Sequence, residues 1–435
     1  MILALLAVLQ VARPAPAPPS ATPGDTLPRV TLAEALRRAA RVDPDYVRAL
    51  GRIDNAEWSR RAARLAFLLP SITASVDATK YSTEFFNIGT GSLQSTAVTG
   101  RLTAGYELFS ARKFVELGRS SAELASAEAG ELEQRFLTAL ETERDYNAVL
   151  AGQELARVAR ERVRRAEEQL GVARARVLSG AAVQSDSLQL VLELVRARAA
   201  LLNQESALRV ARLQLGRRIG EDRAVDAVPA DTAPAPELPL SLPEAVAAAV
   251  AQGPTYQAAR ANERAAEAQL RAERGGYLPE VTLAAGHARF DNRFFPGARN
   301  VSSVTLTVSL PVWNQGAREI AVSQARVNRD VFRAIREDLE RAVRRDVTEA
   351  YDAYTTARAT VELQTAAVAA ARENFRVQET RYRAGATTVL DVLEAQLRLT
   401  EAEADLVQAR YATRLALAGL EAILGRRLFP DEDVP

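Results

Sequence analysis

The side chains that could carry chemistry are few in this chain. The sequence has no cysteine and a single histidine, His287, among 435 residues. These facts exclude disulfides, thiolate metal sites, cysteine nucleophiles, a histidine-based metal site and a Ser-His-Asp triad within one chain. The one lone glycine-rich loop, at residues 89–91, lacks the strand and helix context of a phosphate-binding loop. The residues therefore predict neither an enzyme nor a resident metal or cofactor.

The remaining candidates are acidic side chains in two related stretches, residues 381–396 and a degenerate copy at 176–190. In each stretch a glycine interrupts a long helical pattern and an aspartate follows at the same spacing. The pairs are Gly180 with Asp186 and Gly385 with Asp391. A glycine can end a helix in the left-handed conformation, and a second amphipathic run follows at once. Each stretch therefore predicts the tip of a helical hairpin.

Composition narrows the class of protein further. Lys and Arg number 56 against 55 Asp and Glu, a net charge of +1, so no global field favours nucleic acid. Residues 2–11 form an apolar run too short to span a bilayer, and Ala/Pro-rich sequence follows. We interpret residues 1–28 as a secretory leader and linker; the alternative is a short apolar tail without a targeting role.

The chain behind the leader is a tandem repeat. A helix opening at Leu32 is matched by a similar one at Leu242, and both units continue to a Leu-Pro pair that ends at Pro70 or Pro279. The predicted divisions are a first repeat at 29–224, a Pro/Ala linker at 225–239, a second repeat at 240–426 and a tail at 427–435.

Behind each of these prolines the hydrophobic period changes from helical to two. The alternation predicts four strands with one apolar and one polar face, at residues 71–82, 98–109, 280–291 and 301–313. The connecting loops carry the aromatic pairs Phe85-Phe86 and Phe294-Phe295, which would suit a membrane-interface girdle. The alternative for these four residues is a pair of hydrophobic loop anchors.

Each second strand is followed by an uninterrupted helical pattern, at residues 111–177 and 317–382. A helix of this length spans roughly 100 Å at about 1.5 Å per residue, which is far more than a globular domain needs. The return helices carry apolar or small residues three and four apart, a heptad seam that predicts core packing. The seam residues are Leu188, Leu192, Val195, Ala199 and Leu202 in the first unit, and Leu390, Leu393, Leu397, Thr400, Ala404, Val407 and Tyr411 in the second.

Four amphipathic strands cannot close a membrane barrel, because the smallest closed barrels need about eight. An open sheet in lipid would leave backbone groups unpaired at its edges. The strands must therefore be completed by further copies of the chain, and the residues alone permit a dimer, trimer or tetramer.

In their order and duplication, these segments resemble the TolC family of outer-membrane efflux channels along the whole chain past the leader. The likeness is carried by Leu32-Ala33-Glu34-Ala35, Tyr277-Leu278-Pro279, the run from Leu310 to Gly316, Arg381-Tyr382, Gly385, Asp391-Val392-Leu393 and Ala395-Gln396.

The resemblance implies a mainly α fold with a β-barrel part. Three copies would join their strands in one twelve-stranded outer-membrane barrel, continued through the periplasm by a tunnel of coiled-coil hairpins. The tips would close this tunnel and dock on a periplasmic adaptor, which connects the duct to an inner-membrane transporter.

The resemblance also assigns roles at the tips. Asp391 and Glu394 would ring the constriction, Tyr382 would hold the tip shut, and Asp186 is the matching residue of the first unit. Three copies of two carboxylates at a narrow mouth would repel anions and attract cations. The alternative for Asp391 is a helix N-cap, with Glu394 completing a capping box.

Two functions remain open on the sequence. The favoured one is a passive outer-membrane duct of an efflux or type I secretion system, without catalysis. The other is an elongated periplasmic coiled-coil scaffold or adaptor, although an adaptor should show one hairpin flanked by compact β domains rather than two repeats.

Overall fold

The computed structural model describes residues 27–87, 91–229, 236–291 and 299–429. In these ranges the chain forms two similar units of short helices, a strand pair, one very long helix and a return helix. The elements of the first unit are β1 (Arg29–Val30), α1 (Leu32–Val42), α2 (Pro44–Leu68), β2 (Ser71–Asn87), β3 (Ser92–Phe109), α3 (Ala111–Leu178), α4 (Gln184–Arg218) and β4 (Asp226–Ala227). Those of the second unit are α5 (Leu242–Gln252), α6 (Pro254–Gly275), β5 (Glu280–Asp291), β6 (Arg299–Ser309), α7 (Ala317–Arg383) and α8 (Val389–Leu424).

The long helices α3 and α7 have 68 and 67 residues and agree with the predicted ranges to within one residue at each end. The opening helix of each unit is instead broken in two. In the first unit Asp43 interrupts the pattern, because its carboxylate accepts hydrogen bonds from the backbone of Asp45 and Tyr46 and Pro44 starts α2. Proline is favoured at this first helical position and disfavoured inside a helix.

The four long strands form one antiparallel sheet in the order β2-β3-β5-β6. Strands β2 and β6 are its two open edges. The last strand ends at Ser309 rather than at the predicted Trp313. Pro311 cannot donate to a strand ladder, and Gln315 and Gly316 adopt positive φ angles of 59° and 78° where α7 begins.

The pairing register gives this sheet one apolar face and one polar face, as the alternation predicts. Two neighbouring apolar rows across the sheet are Tyr106, Leu283 and Leu306, and then Ile72, Ala104, Ala285 and Val304. On the opposite face the row Thr73, Thr103, Gly286 and Ser303 is polar or small. The apolar face is solvent-exposed in a single chain, with Val304 75% and Ile72 69% exposed.

The helices form a layer that continues from the sheet to the two hairpin tips. Close to the sheet the neighbours are α2, α3, α6 and α7 in that order; close to the tips they are α4, α3, α8 and α7. In both regions α3 is interior and α7 lies at one edge. In the described parts of the chain, no helix combines the length and apolarity needed to cross a membrane.

Within one chain, the predicted heptad seam is wrong as a core in α4 and holds only in part in α8, where Val407 is buried and Leu393 and Tyr411 pack against buried clusters. Leu188, Leu192, Val195 and Leu202 of α4 are 49–66% exposed, and Leu390 and Leu397 of α8 are also exposed. The buried residues of α4 are Leu190, Ala197, Leu208, Leu215 and Gly216. A helix of this length can carry two apolar stripes, and only one of them contacts its own hairpin.

Halfway along the layer, the ends of the interrepeat segment are fixed to the helices. Strands β1 and β4 pair in parallel, and the Tyr146 hydroxyl donates to the Val228 carbonyl at 2.6 Å. In the second unit the Tyr354 hydroxyl donates to the Pro236 carbonyl at 2.7 Å. Arg427, just beyond α8, pairs with the buried carboxylates of Glu143 and Glu421.

Candidate functional site at the hairpin tips

The two hairpins turn through identical backbone motifs. We call residues 176–190 the first tip and residues 381–396 the second tip. Gly180 and Gly385 have φ angles of 74° and 80°, the left-handed conformation that glycine adopts without strain. In both turns the backbone N–H of the residue after the glycine donates to the carbonyl five residues earlier. These bonds run from Ala181 to Arg176 and from Ala386 to Arg381, each at 2.8 Å. This is the Schellman motif, so both predicted glycines lie in the turns where the spacing puts them.

The second tip begins its return helix with a capping box. Thr388 is the N-cap of α8, and the Asp391 backbone N–H donates to its hydroxyl at 3.3 Å. In return the Asp391 carboxylate accepts from the Thr388 backbone N–H at 2.9 Å and from the hydroxyls of Thr388 and Thr387. These bonds lower the pKa of Asp391 to about 2, with the Thr388 hydroxyl as the largest cause. The N-cap is therefore Thr388 rather than Asp391, which stands three residues inside the helix.

Glu394 has no part in this box. Its carboxylate pairs with Arg398 one turn further along α8, at 2.6 Å, and both side chains are more than 60% exposed. Asp391 and Glu394 thus present two negative charges beside one another at the start of an exposed helix. A charge of this kind is screened by water and acts on ions that pass close to it.

The first tip lacks the equivalent cap. Val183 is the N-cap of α4 and makes no side-chain capping bond. Asp186 occupies the same place as Asp391, but its backbone N–H donates only to the Val183 carbonyl, at 3.1 Å. The first tip therefore holds its aspartate less firmly than the second, because valine offers no hydroxyl.

Tyr382 lies in the core of the second tip rather than at its surface. It is 3% exposed and packs in a cluster drawn from all four long helices. The buried members of the cluster are Leu170, Ala173, Leu190, Phe375, Tyr382, Val389, Val392, Ala395 and Leu399. Burial raises the pKa of the Tyr382 hydroxyl, and the negative charge of Asp186 raises it further. That hydroxyl has no hydrogen-bond partner among the described residues.

Arg176 of the first hairpin binds the second tip, a contact that the sequence did not predict. Its guanidinium donates to the Tyr382 carbonyl and to the Ala181 carbonyl of its own tip. It also lies over the Tyr382 ring, 4.5 Å from the centroid. Its counterpart Arg381 contacts only its own turn, at the Ala386 carbonyl. The position of Arg176 one turn before a tip glycine was the only signal in the sequence.

One mostly buried ion pair and one hydrogen bond join the hairpins above the tips. Arg165 of α3 pairs with Glu403 of α8 at 3.0 Å, and both side chains are at most 15% exposed. Arg162 pairs with Glu193 at 2.7 Å within the first hairpin, and buried Gln396 of α8 reaches the same carboxylate at 3.5 Å. Sequence reasoning missed these residues, because nothing in a helical pattern distinguishes an arginine that meets a carboxylate from one that meets water.

The aromatic pair of the first unit lies within strand β2 rather than in the predicted loop, at the end of the sheet farthest from the helices. Phe86 is 62% exposed, and Phe85 packs edge-on against Tyr81 with 4.4 Å between ring centroids. The second pair, Phe294 and Phe295, lies outside the described residues. Contact of these aromatics with a membrane interface stays a prediction.

Comparison with known proteins places this geometry in a family. A family model described as "Outer membrane efflux protein" matches residues 35–221 and 245–426. The pyoverdine export outer membrane protein OpmQ of Pseudomonas aeruginosa is 28% identical over 411 residues, which cover 90% of this chain and 84% of OpmQ. The outer membrane efflux protein BepC of Brucella suis is 27% identical over 263 residues, and that match spans 60% of this chain and 57% of BepC, less than two thirds of its length.

The fold is also similar to that of a solved outer membrane channel. The crystal structure of the Campylobacter jejuni CmeC outer membrane channel aligns with a TM-score of 0.77 at 15% identity, over 92% of this chain and 87% of that one. The family model and this likeness confirm the predicted family, its outer-membrane location and the mainly α fold with a strand part. Since the model covers most of both repeats, this chain belongs to the outer membrane efflux protein family.

Proposed function

We propose that the chain is the outer-membrane exit duct of a tripartite efflux or type I secretion system. Three copies form one channel, whose tips dock on a periplasmic adaptor that connects to an inner-membrane transporter. The duct itself is passive and performs no catalytic step. The family match and the export function named for OpmQ support this proposal, and the unpartnered edges of the single chain carry it.

The sheet supplies the first of these edges. Strands β2 and β6 each have one neighbour, so each leaves a row of backbone donors and acceptors unpaired over more than ten residues. The apolar face of the sheet is exposed as well. In lipid, such edges must be paired, and β6 of one copy is antiparallel in direction to β2 of the next if the copies follow one another around a ring.

The helical layer has matching edges. The exposed stripe on α4 is not covered by any element that the structure describes, and α7 carries a second exposed stripe. The α7 stripe comprises Ile320, Val327, Val331, Ile335 and Leu363, all 49–71% exposed. Burying such apolar side chains is worth roughly 1.5 to 3 kcal/mol each, so both stripes favour a partner helix.

The order of the edges is the same in both layers. The first unit supplies one edge, with β2 and α4, and the second unit supplies the other, with β6 and α7. A head-to-tail contact between the two different edges closes the sheet and the tunnel with one rotation. Three copies would give a twelve-stranded barrel, which lies above the minimum of about eight strands.

In this arrangement the acidic groups of the second tip determine which ions pass through the channel. Copies of Asp391 and Glu394 would converge where the hairpins meet at the tunnel mouth. Their charges favour cations over anions in a narrow aqueous opening. Asp186 adds a weaker contribution, since the first tip has Gln189 where the second has Glu394.

Planar-bilayer conductance of the purified protein tests the duct and its mouth together. We expect a heat-stable trimer in outer-membrane fractions and a cation-preferring pore of low open probability. The pair Asp391→Asn and Glu394→Gln should reduce the cation preference and raise the conductance. Asparagine keeps an acceptor oxygen for Thr388, so the capping box survives the change in charge.

The first tip gives the matched control. Asp186→Asn should change the conductance much less, because that tip carries one acidic group rather than two. An unchanged conductance in the double variant would contradict the role of the second tip. Release of the wild-type protein in soluble periplasmic extract would contradict the duct itself and favour a scaffold.

A further inference from the structure

The apolar face of the sheet carries cationic side chains at one end only. The register places Lys80 on this face of β2 and Arg289 on this face of β5. Arg289 lies in one row with Val76, Gly100 and Asn300. Both side chains are exposed. In the rows nearer the helices, from Val281 and Tyr106 to Ile72 and Val304, the described residues of this face include no charged group.

At the end of the sheet next to the helices, one cationic side chain is buried and paired within the protein. Lys113, the only lysine apart from Lys80, is 9% exposed where β3 meets α3. Its ammonium donates to the Glu107 carbonyl at 2.7 Å and lies 4.3 Å from the Tyr106 ring centroid and 5.0 Å from that of Phe67. Its charge is satisfied inside the protein.

Neither Lys80 nor Arg289 forms an ion pair with any residue whose side chain the structure describes. His287, one row below Arg289 on the same face, hydrogen-bonds Ser302 at 3.0 Å. Two exposed cations therefore lie at the end of this face that is farthest from the helices.

The height of Arg289 matches a membrane boundary, and Lys80 lies four residues farther from the helices along β2, because Val76 is the β2 residue in the row of Arg289. Arg289 follows Val281 by eight residues, or about 27 Å along the strand at about 3.4 Å per residue. With a strand tilt of about 40°, this is about 21 Å along the barrel axis, close to the roughly 25 Å apolar band of outer-membrane barrels.

We propose that Lys80 and Arg289 form a binding site for the phosphate groups of anionic lipids in the outer leaflet. The inference rests on the proposed function, because it requires the apolar face to contact lipid. Arginine and lysine pair with phosphate oxygens through charge-assisted hydrogen bonds. Their long apolar stems lie along the hydrocarbon while the charged heads reach the headgroups.

The test measures binding of diphosphorylated and dephosphorylated lipid A to the trimer in phosphatidylcholine nanodiscs. We expect the wild type to prefer the phosphorylated lipid. The double variant K80Q/R289Q should bind it about 25-fold more weakly, at about fivefold for each cation removed. Its affinity for the dephosphorylated lipid should be unchanged.

Arg101 provides the control. It pairs with Ala288 across the β3–β5 ladder, at the height of Arg289 but on the polar face. R101Q should therefore bind phosphorylated lipid A within twofold of the wild type. Equal binding by K80Q/R289Q and wild type, or equal wild-type binding of both lipids, would overturn the site. A wild-type protein that forms no trimer and does not insert into nanodiscs would overturn the proposed function as well.

Discussion

The two hairpin tips share one turn and differ in everything that follows it. Each long helix ends in the same Schellman motif, with glycine in the left-handed conformation. After the turn, the second tip caps its return helix with Thr388 and Asp391 and buries Tyr382, whereas the first has uncapped Val183 and a half-buried Val177 in the place of Tyr382. The glycine thus fixes where a hairpin turns, and the surrounding side chains decide how firmly the tip is held.

Arg176 connects the two tips. It extends from the weaker tip to the carbonyl and ring of Tyr382, so the first hairpin braces the second. No equivalent contact from Arg381 is found in the part of the chain that the structure describes. The acidic groups of the second tip are therefore carried on the better-supported turn, which suits the position at a channel mouth that we propose for them.

The largest expected effect comes from emptying the core of the second tip. Tyr382→Ala should lower the local free energy of opening of the second tip by about 3 kcal/mol, because it leaves a cavity among buried apolar side chains. Hydrogen exchange of peptides covering residues 375–399 measures this directly. Val177→Ala, at the matching place of the first tip, should cost less than about 1 kcal/mol, since Val177 is only half buried.

Tyr382→Phe is the control for that experiment. The hydroxyl has no partner among the described residues, so its removal should leave the opening free energy within about 0.5 kcal/mol of the wild type. A loss as large as that of Tyr382→Ala would show that the hydroxyl, rather than the packing, holds the tip.

The next effect separates the two arginines. Arg176→Met should destabilise the second tip by about 2 kcal/mol, because it removes a charged hydrogen bond and a cation–π contact but keeps an unbranched apolar stem. Arg381→Met should cost less than about 0.5 kcal/mol, since Arg381 donates only a 3.4 Å bond to its own turn. Hydrogen exchange of both tips compares them, and equal losses would contradict the bracing role.

Substitutions at the two helix N-caps should change the stability of the tips by smaller amounts, in opposite directions. Thr388→Ala should cost about 1 kcal/mol at the second tip. Val183→Thr should stabilise the first tip by about 0.5 kcal/mol, because Val183 already has φ −85° and ψ 154°, close to the −89° and 163° of Thr388, and Asp186 stands ready to complete the box. A destabilised V183T variant, measured by exchange at residues 183–187, would refute this equivalence.

The smallest effect at neutral pH is the titration of Asp391. Its pKa is depressed from 3.8 to about 2, so the ionised carboxylate stabilises the fold. That contribution is fully present above about pH 5 and is lost as the pH falls from about 4 to about 2. Protection of residues 388–391 should decline over this range in the wild type and decline less in Thr388→Ala, which lacks the hydroxyl that lowers this pKa most. An equal decline in both proteins would assign the titration to another group.

Sequence reasoning predicted the long helices, the existence of the four strands and the two turns, because each depends on local properties; β2 and β3 extend five and six residues farther toward their connection than predicted. Period two or 3.6, a proline and a glycine act within a few residues of themselves. The errors occurred where the local sequence was compatible with more than one end point for a helix or a strand. Asp43 broke a helix that the periodicity carried through, and strand β6 ended four residues early at a proline.

The capping box shows the same limit at the site. The aspartate spacing identified the start of the return helix, and the alternative prediction for Asp391 was its N-cap, but Thr388 has the extended backbone that a cap requires. The heptad seam was real as a pattern, but as an intrachain core it was wrong in α4 and only partly right in α8. Periodicity reveals that a stripe is apolar, but the partner that covers it is a property of the assembly.

By itself the sequence determined the repeat, the element lengths, the turn glycines and the apolar face of the sheet. The tertiary structure alone decided that Arg176 meets Tyr382, 206 residues away, and that Arg165 meets Glu403. Residues so far apart become neighbours only through the packing of one hairpin on the other. Where a helix carries many similar arginines and glutamates, their spacing leaves the partners open, and only the packed arrangement of the hairpins selects them.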